Sequence, residues 1–341
     1  MKNIQCNLFL FTFLLTVLLI TGCASSANTV EMQPKNESAS NTDSMQITIA
    51  GASAGGLWSA VGEGIGQAIS RDNPGTNFTY QPGQLGPNVI TVSSGRTNYG
   101  MEALPSLVLA ERGEEPFESE ITNLRAISVL FVSPYQFMVT KESGITAIED
   151  IKSKEIGTTM TVHTKDSPLE ILNRVIFDAY EFSYKDITRY GGEIVYLPSS
   201  QAVDMVRDGK MHAQAAPMPS PASIYTELSM SKDITILALN EKAIKKAEEE
   251  LGVTPYTIPK SDYAFLEEDV KTVGMNTVFF TREDVPEEEV YKITKSFYEN
   301  LDFLYEMNAV FKDVTDENIL DVGVPLHPGA ERFYKEIGLL K

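Results

Sequence analysis

The stretch from Gln46 to Tyr80 constrains the fold more than any other part of the chain. Ile47-Thr48-Ile49 alternates as a strand. The small-residue turn Gly51-Ala52-Ser53-Ala54-Gly55-Gly56 follows at once. Val61, Ile65, Ala68 and Ile69 then fall on one face of a helix that starts at or just before Trp58. Asn73-Pro74-Gly75 ends that helix and Phe78-Thr79-Tyr80 starts a second strand. Strand, helix, strand is the opening of an α/β sheet, so the expected fold class is α/β.

The alternation continues downstream. Leu124–Phe131 and Gln136–Thr140 read as two strands broken by Ser133-Pro134-Tyr135. Thr146–Ile151 starts a short helix, Glu155–Thr159 reads as a strand, and 168–177 as a helix. Glu193–Leu197 and His212–Ala216 are strand-like and flank a helical segment over 200–208. Asp284-Val285-Pro286-Glu287-Glu288-Glu289 opens the clearest helix, with proline near its first turn and acids at the positive end of the dipole. Its positions Val290, Ile293, Phe297, Leu301 and Leu304 share one face, which predicts burial.

Residues 1–22 carry one charge, Lys2, then an apolar run ending in Thr21-Gly22-Cys23. This pattern predicts a signal peptide, too short for a comfortable membrane span. Aliphatic, small, Gly, Cys resembles the lipobox of bacterial lipoproteins, so Cys23 is the expected lipid anchor. Residues 23–45 are rich in Ser, Asn, Ala and Thr without apolar periodicity and read as a disordered tether. Cys6 would leave with the signal, and acylated Cys23 could form no disulfide, so the fold must stand on its core. The formal charge of the 341-residue chain is −19. That argues against nucleic acid and against docking on an anionic membrane. The mixed-sign run Lys245–Glu250 reads as a solvated helix face.

Gly51-Ala52-Ser53-Ala54-Gly55 also fits G-x-S-x-G, the elbow of serine hydrolases. Of His163, His212 and His327, only His327 stands late enough to complete such a triad. Ser53 follows the first strand, whereas the hydrolase serine follows a central one, and Gly55-Gly56 departs from a tight elbow. The simpler reading is an anion cradle: small residues let backbone N–H groups approach a carboxylate at a helix N-terminus. The bland alternative is that these glycines serve only a tight turn and close packing.

Several stretches together resemble one family. They are "GASAGGLWSAVGEGIGQAI", "GQLGPNVITVSSGRTNYGM", "KESGITAIEDIKSKEIG", "AVDMVRDGKMHAQAA", "VKTVGMNTVFFTREDVPEEEVYKITKSFYENLDFL" and "VPLHPGAERFYKEIGLL". These are similar to the TAXI-type solute receptors of TRAP transporters, over about Ile47 to the C-terminus. The resemblance implies a periplasmic-binding-protein type II fold: two α/β lobes joined by crossover strands, with a ligand in the interlobe cleft. The lobes it implies are 46–134 for the first part of lobe 1, 135–238 for lobe 2, and 239–341 returning to lobe 1 and ending in C-terminal helices.

By that resemblance the ligand contacts are Ser53, Ala54, Gly55, Gly56 and Trp58 in the first lobe, with Gln84 and Asn88 in the next turn. Tyr135 matches an aromatic near the first crossover. Thr161, His163 and Thr164 stand at a second-lobe loop, as do Met218 and Ser220. Against the family's usual Gly-, Ser- and Thr-rich loops, "GASAGG" and "TVHTKDS" are bulkier and more polar. His163 could supply a cationic donor, and Lys165 and Arg174 could serve similarly. Arg96 reads as a surface turn and His327 as structural.

The expected function is capture of a small organic anion (dicarboxylate, 2-oxo acid or acidic amino acid) outside the cytoplasm, for delivery to the membrane subunits of a TRAP-type transporter. A monomer is expected, with no catalysis, cofactor or metal. An extracellular sensory subunit is the alternative, and a hydrolase using Ser53 the third reading.

Overall fold

The computed structural model describes residues 44–341; the signal segment, Cys23 and nearly all of the tether lie outside the described residues. Met45 already packs in the first core. The chain runs β1 (Gln46–Gly51), α1 (Leu57–Asp72), β2 (Asn77–Pro82), α2 (Pro87–Ser93), β3 (Tyr99–Ala103) and α3 (Leu104–Arg112). Next come β4 (Leu124–Thr140), α4 (Glu149–Ser153), β5 (Thr159–Thr161), α5 (Pro168–Ala179), α6 (Tyr184–Arg189) and β6 (Glu193–Val195). Then follow α7 (Ser199–Arg207), β7 (Ala213–Pro217), α8 (Ser223–Ser229), β8 (Ile234–Leu237), α9 (Glu241–Leu251) and β9 (Thr254–Ile258). The last elements are β10 (Val270–Arg282), α10 (Glu287–Glu299), α11 (Leu301–Met307) and α12 (Pro328–Glu336).

The strand order is β2-β1-β3-β10-β4 and onward β7-β5-β6, with β8 on the other side of β4 and β9 beside β10. β1 pairs in parallel with β2 and β3, and β5 with β6 and β7. Each parallel set arises because a helix returns the chain to the same end of the sheet. Two sheets result, and the long strands β4 and β10 run antiparallel to each other where they meet.

The sequence predicted a break in β4 at Pro134, and the structure has one continuous 17-residue strand instead. The physical reason is a change of partner. Pro134 is the last residue paired with β10 (to Gly274), and Tyr135 the first paired with β7 (to Pro217). A missing N–H costs least where a ladder changes hands. The Pro134 carbonyl accepts from the Met218 N–H at 3.1 Å. β5 also differs from expectation, lying at Thr159–Thr161 rather than 155–159. Glu155 takes φ +49 after α4, and a side chain at Gly157 would strike the backbone of Tyr190 and Gly192. α9 packs on α5 and also meets α3, β9 and β10, and β9 pairs with the first half of β10.

One core lies between the first sheet and α1, α10 and α12, with Ile49, Ile65, Phe279, Ile293, Phe297 and Phe333 buried. A second runs without interruption from α3 and β10 to α5 and α9, through Leu104, Leu107, Phe137, Phe177, Ala247 and Val278. A third backs the other face of the second sheet around Met138, Val203 and Tyr225. In the predicted C-terminal helix face, Val290, Ile293, Phe297 and Leu304 are fully buried and Leu301 partly so. The helix breaks at Asn300, whose side chain donates to Asp72 and to the Ser296 carbonyl, each at 2.8 Å.

The closing motif is tied down by its own backbone. His327 Nε2–H donates to the Val285 carbonyl at 3.0 Å, while Nδ1 accepts from the Gly329 N–H at 3.1 Å and caps α12. A side chain at Gly329 would strike the backbone of Glu287 and Tyr291, so α12 rests directly on α10.

Candidate functional site

In open α/β sheets the strands' carboxyl ends are where loops and helix N-termini meet. The structure puts most of the sequence-predicted residues in the turns at those ends, with Asn88 in α2 and Tyr135 inside β4. Gly51 and Pro82 are register partners, so the turns after β1 and β2 lie side by side. The Gly83 N–H donates to the Ala52 carbonyl at 3.3 Å, and the Tyr80 hydroxyl donates to it at 2.9 Å. In the second sheet Thr161 pairs with both Val195 and Gln214, which sets the turns after β5, β6 and β7 together.

Ser53, Ala54, Gly55 and Gly56 form an exposed turn. Gly55 adopts φ +76, which glycine takes without strain. Gly56 is the N-cap of α1; no side chain caps it, and the first turn holds no acid. The first N–H groups of this 16-residue helix therefore have no partner within the helix, and they carry its positive dipole end. Trp58 is half-buried and meets Phe131 edge-on, ring centroids 5.5 Å apart. Gln84 is exposed. Asn88 is buried and spends its side-chain N–H groups on the carbonyls of Gly51 (3.1 Å) and Met101 (3.4 Å).

At the second sheet Tyr135 is buried, and its hydroxyl donates to Asn173 Oδ1 at 2.8 Å. Asn173 in turn donates to the carbonyls of Ala215, Leu169 and Val162. Burial pushes the Tyr135 hydroxyl well above its usual range. The Thr161 hydroxyl donates to the Leu197 carbonyl at 3.1 Å. Met218 is buried and its carbonyl accepts from Gln136 at 2.9 Å; Ser220 donates to Asp262 at 2.7 Å. Tyr135, Thr161, Asn88 and Met218 thus hold the frame around the turns.

His163 and Thr164 occupy the turn between β5 and α5. His163 stands at φ +72 and Asp166 at φ +58, so two residues that are not glycine hold left-handed conformations in one turn. His163 Nδ1 lies 3.2 Å from Thr164 Oγ1 and 3.4 Å from Ser167 Oγ. Burial pushes its imidazole down to about 4, so at neutral pH the ring is an uncharged hydrogen-bonding group and not the cationic donor expected from sequence. Arg174 pairs with Glu170 at 3.2 Å and with Asp166 at 3.7 Å. Lys165 and Arg96 are exposed, Arg96 holding Ser94 at 3.2 Å.

Sequence reasoning passed over two buried acids. Glu170 is the third residue of α5; its carboxylate accepts from the Asp166 N–H at 3.1 Å. Glu102, at the end of β3, is fully buried and accepts from Gly86 N–H at 2.8 Å and Ala103 N–H at 2.9 Å. Both had a signal: a lone acid inside an apolar run, Tyr99–Leu109 for Glu102 and 168–177 for Glu170. A concavity of about 960 Å3 runs along the outer edge of β8, and none of the candidate residues lines it. Among the described residues there is no cluster of side chains fit to hold a metal ion.

Comparison with known proteins bears on the fold. The profile of the NMT1-like family matches residues 49–338. The periplasmic binding protein BugD superposes with a TM-score of 0.53 at 12% identity, over 87% of this chain and 99% of that one. A TctC solute binding protein from Polaromonas gives a TM-score of 0.47 at 16% identity, over 78% and 88%. A histidine kinase sensor domain similar to periplasmic binding proteins gives 0.46 at 10% identity, over 78% and 96%. The architecture is the two-lobed α/β fold of periplasmic binding proteins, as the sequence led one to expect.

Proposed function

The chain belongs to the NMT1-like family, and from that premise we propose that it is an extracytoplasmic receptor for a small organic anion. Its classes are a dicarboxylate, a 2-oxo acid or an acidic amino acid. The observation that carries the reading is the uncapped, acid-free N-terminus of α1 behind the exposed Ser53–Gly56 turn. A carboxylate placed there meets free N–H groups and the positive end of a 16-residue helix, without any arginine.

The solute would lie between the turns after β1 and β2 and the turns after β5 and β7. The first group offers Ser53–Gly56, Trp58 and Gln84, and the second offers neutral His163 and Thr164 with Ser220 nearby. We take residues 46–134 with the C-terminal helices as one lobe, and the second sheet from residue 135 with α9 and β9 as the other. β4 is the segment that would flex on closure, since it alone among the described strands pairs in both sheets, with β10 beside it up to Pro134. Delivery to a TRAP-type transporter, anchoring through Cys23 and action as a monomer complete the proposal.

The third reading, a hydrolase, has no support from the geometry. Both ring nitrogens of His327 are engaged with the backbone, leaving none for Ser53. The test is a thermal-shift panel of amino acids, 2-oxo acids, dicarboxylates and neutral sugars. A solute at a hundred times its dissociation constant adds about 2.7 kcal/mol of stability. A raised melting point with one acid is the expected outcome. A response confined to neutral sugars would overturn the anion reading while leaving the receptor.

A further inference from the structure

Glu102 joins two things that the fold otherwise keeps apart. One carboxylate oxygen holds the Gly86 N–H, in the turn that carries Gln84 and leads to Asn88. Gly86 sits at φ +89 as the N-cap of α2, with no side chain to cap it. The other oxygen holds the Ala103 N–H. Ala103 is the N-cap of α3, and it too has no side-chain cap. The Ser106 hydroxyl, in the first turn of α3, also bonds to the carboxyl. One buried side chain therefore supplies acceptors to the starts of two successive helices.

α3 is also the helix of the first lobe that leans on the second. It packs against α5 and α9. Arg112, at its last turn, donates to the Glu250 carbonyl in α9 at 2.9 Å. Leu104 and Val108 press on Gly252, the C-cap of α9, and on Gly323, two positions where a side chain would collide with them. The contact is backbone-close and so depends on where α3 stands.

We propose that Glu102 is a positioning residue that ties the 84–88 turn to α3, so that a change in the turn shifts the contact of α3 with α5 and α9. The inference rests on the receptor reading, in which the 84–88 turn faces the solute. Rearrangement of that turn would move the acceptor it shares with the start of α3. The far end of α3 would carry the displacement to the Gly252 cap and the Glu250 carbonyl. In this way occupancy at one lobe is felt at the seam between the lobes. Burial pushes the Glu102 carboxyl up to about 8. The groups around it are the N–H donors of Gly86 and Ala103 and the Ser106 hydroxyl, with Val278 of β10 as its register partner; no charged side chain contributes to the shift.

The test is residue-resolved hydrogen exchange on the full chain with no solute added, so its result does not depend on the receptor reading. Above pH 8, where the carboxyl is ionised and both oxygens accept, Glu102→Gln replaces one acceptor oxygen with a donor. Exchange is expected to quicken about tenfold or more at Gly86 and Ala103, and to quicken also at the Gly252 cap, while β7 and α12 stay protected. Arg112→Ala, at the exposed far end, leaves the core intact and by reciprocity should quicken exchange at Gly86. In the wild type, protection at Gly86, corrected for intrinsic exchange, should step across the titration of Glu102 near pH 8, and Glu102→Gln should remove the step. Loosening confined to Gly86 and Ala103, or Gly86 unmoved by Arg112→Ala, would overturn the proposal. If Glu102→Gln does not fold, the Arg112→Ala result decides alone. Failure of the thermal panel with this pattern intact would sink the receptor reading and leave the coupling standing.

Discussion

The turns into α1 and α5 do the same topological job, each leading from a parallel strand into a helix, and they are built in opposite ways. The α1 turn is small, exposed and glycine-bearing, and its helix start has no cap and no acid. The α5 turn satisfies itself. Ser167 caps the helix by accepting from the Glu170 N–H, and the Ser167 hydroxyl donates to the Thr164 carbonyl at 2.7 Å. Glu170 fills the positive end and is matched by Arg174. An α5 turn that has spent its donors can offer a solute only the neutral groups of His163 and Thr164. An α1 turn that has kept them is where a negative charge would gain most. If the proposed anion reading holds, the lesson is that such a site is marked less by cations than by a helix start that the protein has declined to fill.

The strongest way to break this contrast is to fill α1 as α5 is filled. Gly56→Asp places a carboxylate at the N-cap, and the affinity for the acid selected by the thermal panel should fall by about a hundredfold, or roughly 2.7 kcal/mol. Calorimetric titration measures it; unchanged affinity would remove α1 from the site. The same variant should gain a few tenths of a kcal/mol in folding stability, since Asp caps slightly better than Gly.

The acid side of the stability curve tests the α5 turn. His163 titrates in the folded protein at about 4, below its unfolded value of about 6.5. As pH falls through that window the unfolded chain takes up the proton first, so the stability present above pH 6.5 declines toward pH 4. The loss is about 3 kcal/mol at most. His163→Asn, a residue that tolerates positive φ, should flatten this acid limb in denaturant titrations. An acid limb of the same depth in the variant would mean that His163 is not what titrates. A smaller effect belongs to Ser167→Ala, which should cost about 1 kcal/mol through loss of the α5 cap. The same cost with and without solute would fit a cap that the solute does not touch.

Much of the fold was legible because apolar periodicity and turn residues are local signals. The opening Ile47–Tyr80 unit and the buried face of α10 follow from spacing alone. What spacing could not supply was partner change. Pro134 looks like a break because local rules assume one ladder, and the two sheets that share β4 are known only in three dimensions. The site was legible as a set of strand ends, not as a set of roles. Asn88 reads as a ligand contact by resemblance, and the carbonyls of Gly51 and Met101 take its side-chain donors. His163 reads as a switchable cation, yet its charge is decided by burial that no neighbour in sequence reveals. Glu102 escaped notice because its partners, Gly86 and Ala103, contribute only backbone.

The most recognisable words in this sequence, Pro325-Leu326-His327-Pro328-Gly329, are written for α10. The imidazole closes a helix end and the glycine lets two backbones touch. A likeness carried by that phrase is a likeness of masonry, silent about what the quiet turn at residues 53–56 holds.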